Sequence, residues 1–517
     1  MFRLGIDVGG TNTDAALMRG NEVVATAKSF TSADVRSGVV SSVKKILQDV
    51  PRARAAIGAV MIGTTQFVNA FVQRRDLAPV AVIRVSLPRG DGVPPLAGWP
   101  DDALEAVGAN VYLVGGGSHY TGKDYAPLDE DAVRAAAIDA RGKGLRSVAI
   151  SAAYAPIRPD LEQRARAIVA SVFPDAHITL STQVGGLGLI ERENAAIINA
   201  SLAELGVSVV RSLREAIVDL DITAPVFFSQ NDGTLITPAT AASLPVLTCS
   251  AGSTNSVRGA AVLTGLKEAV VADIGGTTTD IGFLSQGFPR ETTAANYIGG
   301  VRTNFRMPDV MSIGIGGGSL VREAGGAWKV GPRSVGFRLQ EEGLVFGGAT
   351  LTATDIAVRA GRTGIGDPSR VAHLSRAVVG AALDDIHARI EEAVDQMKVS
   401  ATPLPLILVG GGHILVSRPL NGASQVLTPP HAEVANAVGA AIALVSGRVD
   451  KLYDIRSLGR EAALQQAKGE ATAAAVEAGA RAGEVEIVEV VELPMSHMQV
   501  GAVQIKVRAV GPLAALG

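Results

Sequence analysis

Short apolar runs recur along this chain, separated by turns or by longer segments in which apolar residues return every three or four positions. The runs FRLGI (2–6), AALM (15–18), EVVATAKSF (22–30), AIGAVMIGTT (56–65), VAVIRVS (80–86), SVAIS (147–151), HITLS (177–181), PVFFSQ (225–230), EAVVA (268–272), IGFL (281–284) and LPLILVGGG (404–412) predict strands. Helical spacing is predicted at 34–50, 128–142, 159–173, 188–221 and 367–398. That alternation is the mark of parallel sheet with crossover helices, so the fold class is α/β. The stretch VANAVGAAIALVSG (434–447) is predicted as a buried helix packed through its alanines and glycine, too short to span a bilayer. Beyond 448, an Ala-, Glu- and Arg-rich helix leads to VEIVEVVEL (485–493) and AVQIKVRAV (502–510), joined by PMSHMQVG and expected as an exposed terminal hairpin, a docking piece.

One pattern occurs twice. DVGGTNTD at 7–14 and DIGGTTTD at 273–280 agree at six of eight positions, and each sits between two apolar runs. Each therefore reads as a β-hairpin with a glycine-rich turn. Gly9, Gly10, Gly275 and Gly276 remove side chains where a backbone could approach an anion, and Thr11, Asn12, Thr13, Thr277, Thr278 and Thr279 bring further donors. Asp7 and Asp273 would repel a phosphate unless Mg²⁺ and its waters lay between them. Two such hairpins from duplicated units can grip one nucleotide from both sides. The bland alternative is a pair of Gly-Gly turns with satisfied surface threonines, and the repetition in register argues against it. A third glycine run, Gly410, Gly411 and Gly412, follows a late strand, where it would admit a flat ring or a ribose.

Composition narrows the partners. At 517 residues more than one core is expected, and 47 basic against 50 acidic residues (net −3) leaves no footprint for nucleic acid or an anionic membrane. Cys249 is the only cysteine, which excludes an internal disulfide and any multi-cysteine zinc site and suits a cytoplasmic setting. No signal-peptide pattern opens the sequence.

The two loops resemble the phosphate loops of the actin, sugar kinase and Hsp70 superfamily, in which two duplicated actin/ribonuclease-H-like domains enclose ATP. Further segments narrow the resemblance: IGTTQFVNAFVQRR (62–75), LIERENAAIINASL (189–202), CSAGSTNSVRGA (249–260), SIGIGGGSLV (312–321), VGPRSVG (330–336) and LTATDIAV (351–358). In this order they resemble the hydantoinase A and 5-oxoprolinase family over roughly residues 1–450. The resemblance implies two ATPase halves, 1–187 and 188–450, and a small C-terminal α+β extension over 451–517.

It also implies ATP-dependent, Mg²⁺-assisted ring opening of a hydantoin, thiohydantoin or lactam by carbonyl phosphorylation. A second subunit, hydantoinase B-like or DUF917-like, is expected, and self-association is open. The first loop (Asp7 to Thr13) and the second (Asp273 to Thr279) would hold phosphates, with Asp7 and Asp273 reaching Mg²⁺ through waters. Asp280 and Asp14 would hold further waters, orient the attacking one, or only close a turn. Gly316, Gly317 and Gly318 resemble a loop near nucleotide or substrate, with a helix capped by Ser319 as the plain alternative. Thr64, Thr65 and Asn69 resemble a cleft motif or a helix cap followed by a buried Asn, and Glu191 with Arg192 an acid-Arg pair or a surface ion pair. The chain departs from the family at Ile62 and Met311, where histidine is usual, which implies a more apolar substrate pocket. His119 is a candidate replacement or a plain loop residue, and His413 a helix-start residue. A small-molecule kinase, or a reactivating chaperone-type ATPase, would keep the same clamp.

Overall fold

The computed structural model describes residues 1–30, 35–292, 296–398, 401–495 and 502–514. Residues 496–501 of the expected PMSHMQVG link lie outside them. A nine-stranded sheet runs, edge to edge, through Glu486–Pro494, Ala502–Gly511, Leu444–Asp454, Thr234–Ile236, Val226–Ser229, Ile57–Thr64, Phe2–Val8, Asn12–Arg19 and Glu22–Phe30. A six-stranded sheet holds Phe288–Pro289, Thr279–Ser285, Ala269–Ile274, Leu404–Val409 and Ala423–Leu427, with Val310–Ile313 added on Thr279–Ser285. Four parallel strands, Asn110–Gly115, Val80–Leu87, Ser147–Ala152 and His177–Leu180, form a separate sheet. The α/β class with duplicated ATPase-type units is borne out. Strands on both sides of residues 188 and 450 share the nine-stranded sheet, so the C-terminal strands complete the first half.

Two expectations are corrected. The 434–447 helix covers only Ala435–Ala441, and from Leu444 burial alternates residue by residue in a strand. The apolar content is the same for both, and the period changes from helical to strand within the run. The C-terminal hairpin does form, but its second strand is no exposed appendage. Ala502–Gly511 lies between Leu444–Asp454 and Glu486–Pro494 and is largely buried. Helix Arg460–Glu477 covers it with Ala463, Ala467, Ala471 and Ala475, a four-residue spacing that puts one small stripe against the sheet.

Helices Ala251–Thr264 and Ala435–Ala441 fill the space between the two large sheets. They touch backbone to backbone: a methyl group at Gly259 would lie 1.9 Å from the Ala435 carbonyl oxygen, and one at Gly439 would lie 1.9 Å from that of Asn255. Gly439→Ala is therefore expected to cost about 3 kcal/mol, because backbone cannot yield as a side chain can, and a lowered thermal midpoint checks this.

Helix Leu189–Ser201 ties the four-stranded unit to the rest through charges that its sequence places on successive positions. Glu193 accepts from the Arg84 guanidinium at 2.7 and 2.5 Å and from Ser151 Oγ at 2.7 Å, with both partners of the ion pair 1% exposed. Glu193→Ala leaves a buried guanidinium unpaired and is expected to cost about 3–5 kcal/mol, read as a fall in the urea midpoint.

Candidate functional site

The two copies of the repeated octapeptide fold alike. Asp7 pairs across its hairpin with Asp14, and Asp273 with Asp280. In each turn the first glycine amide donates to the carbonyl three residues on, Gly9 to Asn12 at 3.0 Å and Gly275 to Thr278 at 2.9 Å. The turns face each other closely: a methyl group at Gly276 would sit 3.5 Å from Thr11 Oγ1. Each hairpin also has a parallel neighbour, Ile57–Thr64 for the first and Leu404–Val409 for the second. The segments leaving those neighbours, Thr64-Thr65 and Gly410-Gly411, occupy corresponding places.

Four carboxylates thus converge at the floor of the cleft. Asp7 and Asp14 are 3% and 4% exposed, and Asn436 bridges them, its Nδ2 donating to Asp7 Oδ2 and Asp14 Oδ2 at 3.0 Å each. Ser256 Oγ donates to Asp273 Oδ2 at 2.5 Å, while Ser253 and Ser312 donate to the two oxygens of Asp280 at 2.7 and 2.6 Å. So each central helix steadies the acids of one hairpin. Lys28 is the cation beside them, 2.5 Å from Asp14 Oδ1.

One lysine does not balance four acids. Burial first, then the Asp14 and Asp273 charges, pushes the Asp7 carboxyl up to about 7. Asp273 keeps some surface open to the cleft and receives the Ser256 bond, and burial with the Asp280 and Asp14 charges raises it to about 6. Asp7 Oδ1 is buried without a hydrogen bond, as are both polar atoms of the Asn255 side chain. A methyl group at Gly63 would lie 2.5 Å from Asn255 Nδ2 and 2.6 Å from Asp7 Oδ1, so only glycine leaves these two side chains their room. The donor set fits a hydrated divalent cation: it is all oxygen with excess negative charge. Among the described residues no three His, Cys, Asp or Glu side chains form a direct-ligand set.

The other expected residues fall into place around the turns. Thr65 N donates to the Val8 carbonyl at 3.2 Å, Gln66 N donates to Thr64 Oγ1 at 3.2 Å, and Asn69 Nδ2 would be 3.5 Å from a methyl at Gly10. Thr11, Asn12, Thr277 and Thr278 line the turn tips, whereas Thr13 and Thr279 are fully buried, with Thr279 Oγ1 donating to the Ile315 carbonyl at 2.7 Å. The Gly316–Gly318 segment leads into strand Ser319–Ala324, not a helix, and props the second turn from behind. Gly317 N and Gly318 N donate to the carbonyls of Gly275 and Gly276 at 3.0 and 2.7 Å. Gly410 and Gly412 press on the same hairpin, where methyl groups would lie 2.3 Å from Asp273 Oδ1 and 2.5 Å from Ile274 Cγ2, while Gly411 meets nothing within 4 Å. After Gly410 the chain makes a short 3-10 turn, Gly411–Leu415, that contains His413.

A cavity of about 310 Å³ opens beside Asp280, lined by Ser250, Ser253, Tyr297, Met307, Pro308 and Ser312. Ile62 is fully buried in the first core and Met311 packs against the second, so neither apolar replacement lines this cavity. On that strand Val310 and Ser312 face the cavity, and alternation turns Met311 away. Glu191 and Arg192 are not a pair. Arg192 is buried, donating to Ser181 Oγ at 2.7 Å and the Ala152 carbonyl at 2.8 Å, and Glu191 lies 3.2 Å from Arg302. His119 packs edge-on to Tyr125, with ring centroids 5.4 Å apart.

Residues 3–173 match the hydantoinase/oxoprolinase N-terminal region, and residues 192–367 match hydantoinase/oxoprolinase itself. The chain belongs to the hydantoinase/oxoprolinase family. Among curated members it is 26% identical over 421 residues to caprolactamase subunit alpha of Pseudomonas jessenii, covering 76% of this chain and 58% of that one. It is 25% identical over 393 residues to the acetophenone carboxylase gamma subunit of Aromatoleum aromaticum, covering 68% and 52%. The chain thus spans about half the length of the curated relatives it matches. The fold matches the ATP-dependent caprolactamase of P. jessenii (TM-score 0.74, 19% identity, 99% of this chain and 88% of that one). It also matches nucleotide-free acetone carboxylase (TM-score 0.70, 19% identity, 100% and 89%). No single helix among the described residues is long and apolar enough to cross a membrane.

The sequence reading of the family missed Lys28, Ser253, Ser256, Ser312 and Asn436 as partners of the acids. Lys28 was within reach of register counting, since it lies directly opposite Asp14 on the neighbouring strand. The serines and Asn436 reach the acids from helices and a strand far away in sequence, and no local spacing announces that.

Proposed function

We propose that this chain binds Mg²⁺-ATP between its two hairpins and uses it to open a cyclic amide ring by phosphorylating the ring carbonyl oxygen. The observation that carries this reading is the pair of facing hairpins with four converging carboxylates, one of which, Asp280, is held by Ser253 and Ser312 from the wall of a cavity of about 310 Å³. Ring amides are poor electrophiles, and moving the γ-phosphoryl group onto the carbonyl oxygen releases ADP and leaves an activated carbon. Water then adds to that carbon and loses a proton. The ring C–N bond then breaks as the nitrogen gains a proton, leaving an acyl phosphate, and a second water adds to its carbonyl carbon and displaces inorganic phosphate, so the ring carbon ends as a carboxylate. A bound Mg²⁺ would neutralise phosphate charge and align the transferring group. The chain's own share is placement: the turns hold the phosphates, and Ser253 and Ser312 fix Asp280 with a lone pair left on each oxygen to accept from the attacking water. The likeness to caprolactamase subunit alpha supports the ring-opening step. Both curated relatives are named as subunits, and a second polypeptide is proposed here too.

A second reading follows from the acetophenone carboxylase likeness: the activated carbonyl compound is carboxylated instead of hydrolysed. One experiment separates them. ADP release is measured over hydantoins, thiohydantoins, small lactams and aryl ketones, with and without bicarbonate. Release that depends on a ring amide and ignores bicarbonate supports ring opening. Release that needs a ketone and bicarbonate replaces it with carboxylation, and a stable phosphorylated product would make the chain a kinase.

A further inference from the structure

A second cavity, of about 380 Å³, adjoins the one beside Asp280, and Tyr297 lines both. Its walls come from three parts of the chain: Ala97 and Trp99 from the four-stranded unit, Ile190 and Glu191 from the helix at 189–201, and Tyr297 and Arg302 from a small hairpin of the second half. That hairpin is pinned to the first half at its tip, where Arg74 Nη2 donates to the Gly299 carbonyl at 2.6 Å and Arg74 pairs with Asp102 at 3.2 Å. The polar atoms of the inner wall are already used. Trp99 Nε1 donates to Asn194 Oδ1 at 2.9 Å, and Asn194 Nδ2 donates to the Arg302 carbonyl at 2.9 Å. At the rim Glu191 and Arg302 pair with each other. The interior therefore offers aromatic and aliphatic surface, with Asn194 and Trp99 engaged with each other and with the Arg302 carbonyl, and an ion pair of no net charge at its edge.

Taking the ring-opening reading as its base, we propose that this cavity receives an apolar substituent of about phenyl size carried by the ring amide, with Trp99 and Tyr297 as its walls. Substrate selection would then lie in the four-stranded unit and the Tyr297 hairpin, away from the nucleotide. An uncharged side group matches the walls, and a carboxylate or ammonium would have to break the Glu191–Arg302 pair to enter.

Trp99 reports on the site directly, because the chain has two tryptophans and the other, Trp328, packs against the second core. In the full-length Trp328→Phe protein, with a non-hydrolysable ATP analogue present, emission is titrated with 5-benzylhydantoin, hydantoin and 5-carboxymethylhydantoin. The benzyl compound is expected to shift Trp99 emission and bind at least tenfold tighter than either of the others. Ala97→Phe, at an exposed position whose new ring would crowd the part of the cavity beside Trp99, should reduce that advantage below about twofold and leave hydantoin binding unchanged. Equal affinities, preference for the carboxymethyl compound, equal weakening of all three by Ala97→Phe, or no binding of any would overturn the proposal. The titration involves no turnover. Selective binding without ring-dependent ADP release would sink the ring-opening reading and leave the subsite standing, and ring opening of hydantoin with no benzyl preference would do the reverse.

Discussion

Asp273→Asn is expected to lower ATP turnover about a thousandfold, about 4 kcal/mol of barrier, while nucleotide still binds. The substitution keeps size and shape, and Ser256 can still donate to the side-chain oxygen that remains. What it removes is a negative charge that would hold the cation's waters against the phosphates, in a cleft where burial strengthens every charge interaction. Calorimetric binding of ADP should change by less than about tenfold, because the turn backbone proposed to meet the phosphates is untouched. A variant with turnover within tenfold of the parent would remove Asp273 from the cation's shell and leave Asp7 as its main support.

The second large effect lies at Asp7 and concerns pH. In the folded chain without ligand its carboxyl holds a proton up to about pH 7, whereas an unfolded aspartate releases it near pH 4. Between those values the native state binds the extra proton, so stability is greatest at the acid end of the window and is lost as pH rises through it. Asp273, raised to about 6, adds in the same direction. Asp7→Asn cannot acquire the charge. The ligand-free variant should therefore outlast the parent by on the order of 2–4 kcal/mol at pH 8 and match it near pH 4, by thermal or urea melts at both pH values. Binding of Mg²⁺-nucleotide should push the proton off Asp7 in the parent, so up to about one proton is released per nucleotide at pH 6.5 and affinity rises with pH below 7. The variant should release less, and unchanged proton release would place the cation elsewhere.

Many of the strands and the two loop hairpins were legible because their signals are local: alternating apolar runs, a Gly-Gly turn and a repeat whose register matches residue for residue, whereas the order of strands across the sheets was not. The strand at Leu444–Asp454 was not, since its first residues share small apolar composition with the helix before it and only the period differs. The site was legible to the depth of the octapeptides. Ser256, Ser312 and Asn436 meet the acids only after two helices and a strand have been packed from distant parts of the chain, and the Glu191–Arg302 contact spans over a hundred residues. Ile62 shows the converse. A departure from the family read as a change of pocket is, in the fold, a core residue with no exposed surface.

Because Gly259 and Gly439 let the two central helices meet at their backbones, the halves of the molecule share a bearing with no side chain in it to compress. Were the two sheets to move against each other, a turn about that contact would disturb the least packing, as the blades of scissors turn about a rivet. Asn436 rides on one helix and Ser253 and Ser256 on the other, so any turn that parts the hairpins also swings the groups that steady their acids. Opening the cleft and loosening its charge cluster would then be a single movement, and release of spent nucleotide would come with a change in the protonation of the cleft floor.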